Sequence, residues 1–168
     1  MEAIMQTDRI EKKIVLRATR ERVWQAISDS SQFGRWFGVT LQGPFVAGQR
    51  VAGHITPTQV DPEVARMQEP WAGVACDFHV ERIEPMTHFS FRWHPGGDAV
   101  QPGTPEEQMT TVTFTLADAP EGTLLMITES GFDRVPLERR AKAFADNEGG
   151  WEMQTRLIAK FLVLPANG

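Results

Sequence analysis

Apolar and polar residues alternate in two stretches of the second half of the chain. Between residues 111 and 116 apolar side chains alternate with threonines, and between 88 and 94 aromatic side chains alternate with polar ones. Since successive side chains of a strand point to opposite faces, this pattern predicts an antiparallel sheet with one covered face. Turn residues bound the predicted strands, which cover residues 10–17, 39–42, 50–55, 74–83, 88–94, 109–116 and 123–130.

Two short helices are predicted directly after the first strand. Thr19 is a suitable N-cap for a helix that runs to about Ser28, because its hydroxyl can accept a hydrogen bond from a free backbone N–H. A second helix is expected over residues 30–36, ending near Gly38.

A long helix is predicted from about Pro136, placed at its first helical position, to Leu164. Its apolar side chains recur every seven residues and predict one buried seam, formed by Leu137, Phe144, Trp151 and Ile158. The order of strand, two helices, six strands and long helix predicts an α+β fold in which that helix packs on the sheet.

Two proline-rich segments, 56–73 and 95–108, are expected to be loops. Long loops in a compact domain are either mobile or serve as lids and binding loops, and we favour mobility. The chain of 168 residues fits one domain, expected over residues 10–164. The segments 1–9 and 165–168 are expected to be flexible termini.

Composition narrows the possible functions. The net charge is −5 with both signs spread along the chain, which argues against a nucleic-acid or anionic-membrane partner. No apolar stretch approaches the roughly 20 residues needed to span a bilayer, and the first ten residues do not form a secretory signal. Cys76 is the single cysteine, so no intramolecular disulfide is possible. A cytoplasmic location is the expectation.

Seven segments together resemble one protein family, in family order and across nearly the whole chain. They are Ile14 to Leu16, Thr19 to Ile27, Phe33 to Phe37, Val80 to Pro85, Val112 to Leu116, Thr128 to Phe132, and Gly150-Trp151. The sequence resembles the homologues of the heat-shock-protein-90 ATPase activator, within the START-like, birch-pollen-allergen-like (SRPBCC) superfamily. The resemblance implies a helix-grip fold, in which a curved antiparallel sheet wraps the long C-terminal helix around a cavity. It does not imply one function, because the superfamily includes carriers, cyclases and partner-binding modules.

Metal and cofactor motifs are not found in the sequence. The four histidines are spread over three predicted strands, with His88 and His94 at opposite ends of one of them, and Cys76 and His79 would point to opposite faces of one strand. No phosphate loop, dinucleotide fingerprint or nucleophile elbow occurs. We therefore expect no metal and no cofactor, and we interpret Cys76 as a small buried apolar residue.

Glu129 is the carboxylate of most interest. It shares a strand face with Leu125 and Ile127, so it should point inward if they do. A buried carboxylate must be hydrogen-bonded, ion-paired or protonated, which would suit a polar anchor or an acid/base in the cavity. Because the predicted strand ends close by, we favour the alternative that Glu129 lies at the rim and reaches water or an arginine.

The middle of the last helix carries polar residues beside the apolar seam, namely Asn147, Glu148, Gln154 and Thr155. They predict either a polar pocket under the helix or a solvent-facing surface, and both interpretations stay open. The pair Gly149-Gly150 predicts a kink, a close backbone approach or space for a ligand, of which we favour the kink. Trp71, in a proline-bounded loop, either covers a pocket or partner site or plugs the loop against the core.

Three functions follow as hypotheses. The first is a non-catalytic module that binds a hydrophobic or amphipathic small molecule between sheet and helix. Its candidate ligand-binding residues are Phe78, Val80, Phe91, Trp93, Phe114, Leu125, Ile127, Glu129, Asn147, Trp151 and Ile158. The second is a chaperone-associated domain, as the resemblance implies, and the third is a cyclase- or hydrolase-type enzyme with Glu129 as acid/base. A monomer and a homodimer both remain open.

Overall fold

The alternating segments form a six-stranded antiparallel sheet with the strand order β1-β8-β7-β6-β5-β3, while β2 and β4 pair separately. The computed structural model describes residues 9–95 and 104–164. The strands are β1 (Arg9–Leu16), β2 (Val39–Leu41), β3 (Arg50–Val51), β4 (Gly53–Ile55), β5 (Phe78–Glu84), β6 (His88–Trp93), β7 (Thr110–Ala119) and β8 (Gly122–Ser130). The helices are α1 (Arg20–Ser28), α2 (Ser30–Phe37), α3 (Pro62–Gln68) and α4 (Leu137–Leu162), with 3₁₀ turns at Glu69–Trp71, Glu106–Gln108 and Phe132–Arg134.

The predicted α+β, helix-grip architecture is confirmed: a long C-terminal helix accompanies an antiparallel sheet, and two short helices follow the first strand. Thr19 caps α1, since its hydroxyl accepts a hydrogen bond from the Arg22 backbone N–H at 3.1 Å. Asp29 joins the two helices by accepting from the Ser31 and Gln32 N–H groups. Gly38 ends α2 at φ 98°, a left-handed conformation that favours glycine.

Two predicted strands are shorter than expected. The segment 50–55 divides into β3 and β4, which belong to different sheets, and the segment 74–83 becomes a strand only at Phe78. The Asp77 carboxylate takes hydrogen bonds from the Gly53 N–H and the Arg50 guanidinium at this division. A side chain at Gly53 would meet the Cys76 carbonyl oxygen at 2.7 Å, so the close approach there requires glycine.

The segment 56–73 is not a plain loop, because it contains α3 and a 3₁₀ turn. Pro62 occupies the start of α3, where a missing N–H costs nothing. Asp61 caps the helix by accepting from the Glu63 and Val64 N–H groups, both at 3.0 Å. Most of the second proposed loop, together with residues 1–8 and 165–168, lies outside the described residues.

The long helix α4 buries a different stripe from the predicted heptad seam. Pro136 is its N-cap and not its first residue. Ile158 and Trp151 are buried, Phe144 is half-buried, and Leu137 is 75% exposed. An α-helix rotates by about 20° per heptad relative to a strict seven-residue repeat, so the seam turns progressively away from the sheet. The side chains of α4 that are buried are Ala143, Trp151, Gln154, Thr155, Leu157, Ile158 and Phe161.

Aromatic side chains fill the interior between the sheet and the helices. Neighbouring ring centroids lie 4.5–6.2 Å apart, within the range of favourable edge and offset contacts. The connected rings are Phe33, Trp36, Phe37, Phe45, Phe78, Phe89, Phe91, Trp93, Phe114 and Trp151. Within the described ranges, no helix has the length and apolar character to cross a membrane.

The observed burial along α4 predicts a large loss of stability for one substitution and a small one for another. Ile158→Ala should lower the free energy of unfolding by about 2–5 kcal/mol, because it leaves a cavity in a packed interior. Leu137→Ala should change it by less than about 0.5 kcal/mol, since that side chain is largely in water. Urea denaturation followed by circular dichroism measures both, and equal losses would contradict the observed placement of the helix.

Candidate functional site

Glu129 is buried in the interior of the fold, on the covered face of the sheet, and does not lie at a solvent-facing rim. It is completely buried, on the same face of β8 as the buried Thr123, Leu125 and Ile127. β7 pairs with β8 along its full length and β1 pairs with it from Thr123 to Ser130, so both strands pair with β8 at Glu129 itself. The inward orientation predicted from alternation is therefore confirmed, whereas the rim position that we favoured is wrong.

Among the described residues, four side chains donate hydrogen bonds to the Glu129 carboxylate. The Trp151 indole N–H bonds to Oε1 at 2.8 Å, and the Trp93 indole N–H bonds to Oε2 at 2.8 Å. The Thr110 hydroxyl bonds to Oε2 at 2.5 Å. The Asn147 amide Nδ2 lies 2.9 Å from Oε1 and 3.0 Å from Oε2. One side chain thus connects β6, β7 and α4 to β8.

These donors suit a carboxylate better than any other side chain. Two oxygens that only accept, with about four lone-pair positions, match donors approaching from three elements, whereas a glutamine would turn its own N–H₂ toward one of them. Within the described residues, Glu129 forms no salt bridge with a lysine, arginine or histidine. Burial raises the pKa of Glu129 above its ordinary value near 4.5, and the hydrogen bonds from Thr110, Trp93, Trp151 and Asn147 oppose that shift.

A cleft opens beside this carboxylate, with a volume of about 80 Å³. It is lined by Phe37, Trp93, Asp146, Asn147, Gly150, Trp151 and Gln154. Three of the Glu129 hydrogen-bond donors, Trp93, Asn147 and Trp151, therefore form part of its wall. The carboxylate fixes the side chains that shape the cleft.

Three rings, which we call the aromatic triad, provide most of the apolar wall. They are Phe37 at the end of α2, Trp93 at the end of β6 and Trp151 on α4. Their centroids lie 5.8–5.9 Å apart and their planes are inclined by 32–57° to one another. The rings are thus tilted walls and not a parallel stack.

Gln154 links the cleft to the neighbouring helices. Its Nε2 donates to the Phe37 carbonyl oxygen at 3.0 Å, and Gln68 of α3 donates to the same oxygen at 3.4 Å. The Oε1 atom of Gln154 is buried and has no hydrogen-bond partner among the described residues. A buried acceptor without a partner is costly, so this atom can gain from a ligand that donates a hydrogen bond.

The structure divides the predicted ligand-binding residues into two groups. Trp93, Asn147 and Trp151 line the cleft. The others are fully or almost fully buried, with Glu129 behind the wall and the remainder in the hydrophobic interior, namely Phe78, Val80, Phe91, Phe114, Leu125, Ile127 and Ile158. Contact of any of them with a ligand stays a prediction.

Some of the polar residues on α4 face a pocket and others face solvent, so each of the two interpretations holds for part of the helix. Asn147 and Gln154 line the cleft, and Thr155 is buried, whereas Glu148 is exposed. The glycine pair lies within the continuous helix, and a side-chain carbon at either position would meet nothing within 4 Å, which excludes a close backbone approach.

Trp71 and Cys76 contribute nothing to the described cleft. Trp71 is partly exposed, and its role as a cover or plug stays a prediction. Desolvation raises the pKa of the Cys76 thiol to about 12, so it is not a ready nucleophile at neutral pH.

Sequence reasoning missed Phe37, Asp146 and Thr110 as parts of the site. Phe37 and Asp146 reach the cleft only through helix packing, which no local pattern reveals. Thr110 had a signal: Val112 pairs with Glu129, so the residue two positions earlier on β7 is a diagonal neighbour on the same face. That register becomes visible only once the strands are paired.

Comparison with family models places residues 17–162 in the family described as Activator of Hsp90 ATPase homolog 1-like protein. The chain belongs to this family. The family resemblance stated from the sequence is therefore confirmed over residues 17–162. Comparison with curated proteins gives no significant match.

Solved structures of several bacterial proteins share the fold. A protein of Mesorhizobium loti, MLL2253, is 21% identical, with a TM-score of 0.67 over 92% of this chain and 96% of that one. The Aha1 dimer of Colwellia psychrerythraea is 17% identical, with a TM-score of 0.66 over 92% and 95%. DynU16, a putative protein in the dynemicin biosynthetic locus, is 22% identical, with a TM-score of 0.64. The match covers 92% of this chain, which spans about half of DynU16 (47%). At these identities the likeness establishes the helix-grip fold alone.

The raised pKa of Glu129 predicts how stability depends on pH. The folded protein holds the Glu129 proton more tightly than the unfolded chain, so its free energy of unfolding should fall as the pH rises from about 4.5 to the folded-state pKa. Above that pKa the contribution is constant. Urea denaturation from pH 4 to 8 measures the free energy of unfolding of the protein and of Glu129→Gln. The value for the protein minus the value for the variant should fall as the pH rises, and a rise would contradict the assignment.

Removal of the Trp151 indole donor should change the pKa of Glu129, whereas removal of a buried indole that does not contact Glu129 should not. Trp151→Phe should raise the pKa of Glu129 further and, at pH values where Glu129 is ionised, destabilise the protein by about 1.5–3 kcal/mol, because a hydrogen bond to a charged group is lost. Trp36→Phe is the matched control, since the buried Trp36 indole donates to the neutral Ala26 carbonyl oxygen at 2.9 Å. The Glu129 carboxyl carbon followed by ¹³C NMR should shift its titration midpoint only in Trp151→Phe.

Proposed function

We propose that the protein binds a small organic molecule in the cleft between the aromatic triad and α4, without catalysing a reaction on it. The observation that carries this proposal is that the polar N–H groups of the cleft wall already donate hydrogen bonds within the protein. The Trp93 and Trp151 indoles and the Asn147 amide are held by Glu129, so the cleft is shaped before a ligand arrives. A preformed, mostly apolar concavity with few polar groups is the usual form of a small-molecule site.

The size of the cleft limits what it can hold. Pockets for drug-sized ligands measure roughly 300–1,000 Å³, whereas this cleft is about 80 Å³. It therefore suits a small molecule, or one end group of a larger amphipathic molecule whose remainder lies outside it. The aromatic side chains of the interior occupy the space that a larger ligand would need.

The contacts of Glu129 argue against the acid/base hypothesis. A general base needs a lone pair within reach of the substrate proton. The two Glu129 oxygens already accept from four side chains, and the carboxylate is completely shielded from solvent. Its geometry supports a positioning role. Chaperone association, suggested by the family description, is the alternative function, and retention of the protein by a purified chaperone would favour it.

Two adjacent glycines allow a controlled test of the cleft. Gly150 lines it and Gly149 is exposed one residue earlier, and a side-chain carbon at either position meets no other atom within 4 Å. Gly150→Leu should abolish binding by filling the cleft, while Gly149→Leu should bind normally. Both gain the same helix propensity, so stability alone cannot explain a difference.

Thermal shift with a panel of small aromatic and aliphatic amines, alcohols and acids provides the measurement. A ligand at one hundred times its dissociation constant should add about 2.7 kcal/mol of stability. A ligand whose shift persists in Gly150→Leu would place binding outside the cleft and contradict the proposal.

A further inference from the structure

The side chains that line the cleft offer hydrogen-bond acceptors to a ligand, whereas their donors are already used within the protein. Of its described lining residues, none is a lysine, arginine or histidine. The indole and amide N–H donors of Trp93, Trp151 and Asn147 point to Glu129, and the Gln154 amide N–H₂ donates to the Phe37 carbonyl. An anionic ligand would therefore find no built donor in this wall.

Acceptors and negative charge, in contrast, surround the cleft. The Glu129 carboxylate lies directly behind both tryptophans, and no cation in the described part of the chain forms a salt bridge with it. Asp146 also lies on the lining, but the Lys142 ammonium at 2.7 Å compensates its charge, so Asp146 contributes acceptor oxygens and not net charge. The Gln154 Oε1 atom is a buried acceptor without a partner among the described residues.

The aromatic triad supplies the other element of a cation site. A cation is attracted to an aromatic ring when it lies over the ring face within about 6 Å of the centroid. Three centroids 5.8–5.9 Å apart leave positions above their common plane that meet the distance condition for all three rings at once. In addition, two of these indoles donate their N–H to a carboxylate, which increases the electron density of the rings.

We propose that the cleft takes the cationic head of a small organic ammonium compound, held by the rings of Phe37, Trp93 and Trp151 and by the Glu129 carboxylate in its ionised form. This assignment rests on the proposed function, because it names the class of ligand for the same cleft. The volume of about 80 Å³ is several times the roughly 10–15 Å³ that a cavity needs to hold one water, so the cleft leaves room for a small substituted ammonium group.

A pair of ligands of the same shape tests the charge requirement. Choline and its uncharged carbon analogue 3,3-dimethyl-1-butanol differ only at the central atom of the head group. Titration against tryptophan fluorescence, with sodium chloride holding the ionic strength constant, should give choline an affinity at least tenfold higher. Gly150→Leu should abolish the choline response, and Gly149→Leu should retain it.

Two further variants locate the interaction. Phe37→Leu keeps an apolar side chain but removes one ring, so it should weaken choline at least fivefold and leave the neutral analogue unchanged. Glu129→Gln should lower the preference for choline over the analogue. Because that variant loses stability, circular dichroism must first show that it is folded, and Phe37→Leu provides the test if it is not.

The outcomes separate this inference from the proposed function. Equal affinities for the two compounds, or tighter binding of the neutral one, overturn the cation assignment and leave a cleft that binds apolar groups, provided that Gly150→Leu blocks both. No response to choline at 50 mM overturns the cation assignment as well. The proposed function is then judged separately by the remaining members of the thermal-shift panel.

Discussion

The buried Glu129 carboxylate is the interaction on which the rest of the structure depends. It accepts hydrogen bonds from the end of β6, the start of β7 and the middle of α4, and so connects the sheet to the helix it grips. Away from water, an unpaired carboxylate or indole N–H would cost more free energy than a surface group, so the four donors and the acceptor require one another. This mutual requirement fixes the position of α4 and the orientation of both tryptophan rings.

The size of the site follows from the residues that fill the fold and not from the fold itself. A helix-grip architecture encloses space between a sheet and a long helix, and in this protein connected aromatic rings occupy much of it. The cleft remains at the edge of that packing, where α2 ends and Gly150 leaves room on α4. Related folds can therefore hold very different ligands, because core side chains decide the volume while the backbone stays similar.

Much of the fold was predictable from local signals, whereas the site depended on pairing between distant segments. Alternation gave the strands, and Thr19 and Gly38 marked helix ends. Glu129 was placed wrongly at the rim because the end of a strand in sequence was equated with the edge of the sheet. In the structure β1 and β7 both pair with β8 as far as Ser130. Likewise, α3 was missed because Pro62 was interpreted as a loop residue, although a proline fits the first turn of a helix.

A carboxylate held by neutral donors differs in one essential respect from a carboxylate paired with arginine: its charge is distributed by hydrogen bonds but not cancelled. The cost of this arrangement is visible as the raised pKa of Glu129, whose largest cause is loss of solvent. The negative charge of ionised Glu129 also acts on the cleft, because the Trp93 and Trp151 indoles that separate the two are polarisable and carry no opposing charge. In the proposed site, stability and ligand preference are therefore linked through one residue. Whatever cancels the charge of Glu129 from the cleft side also relieves the cost of burying it.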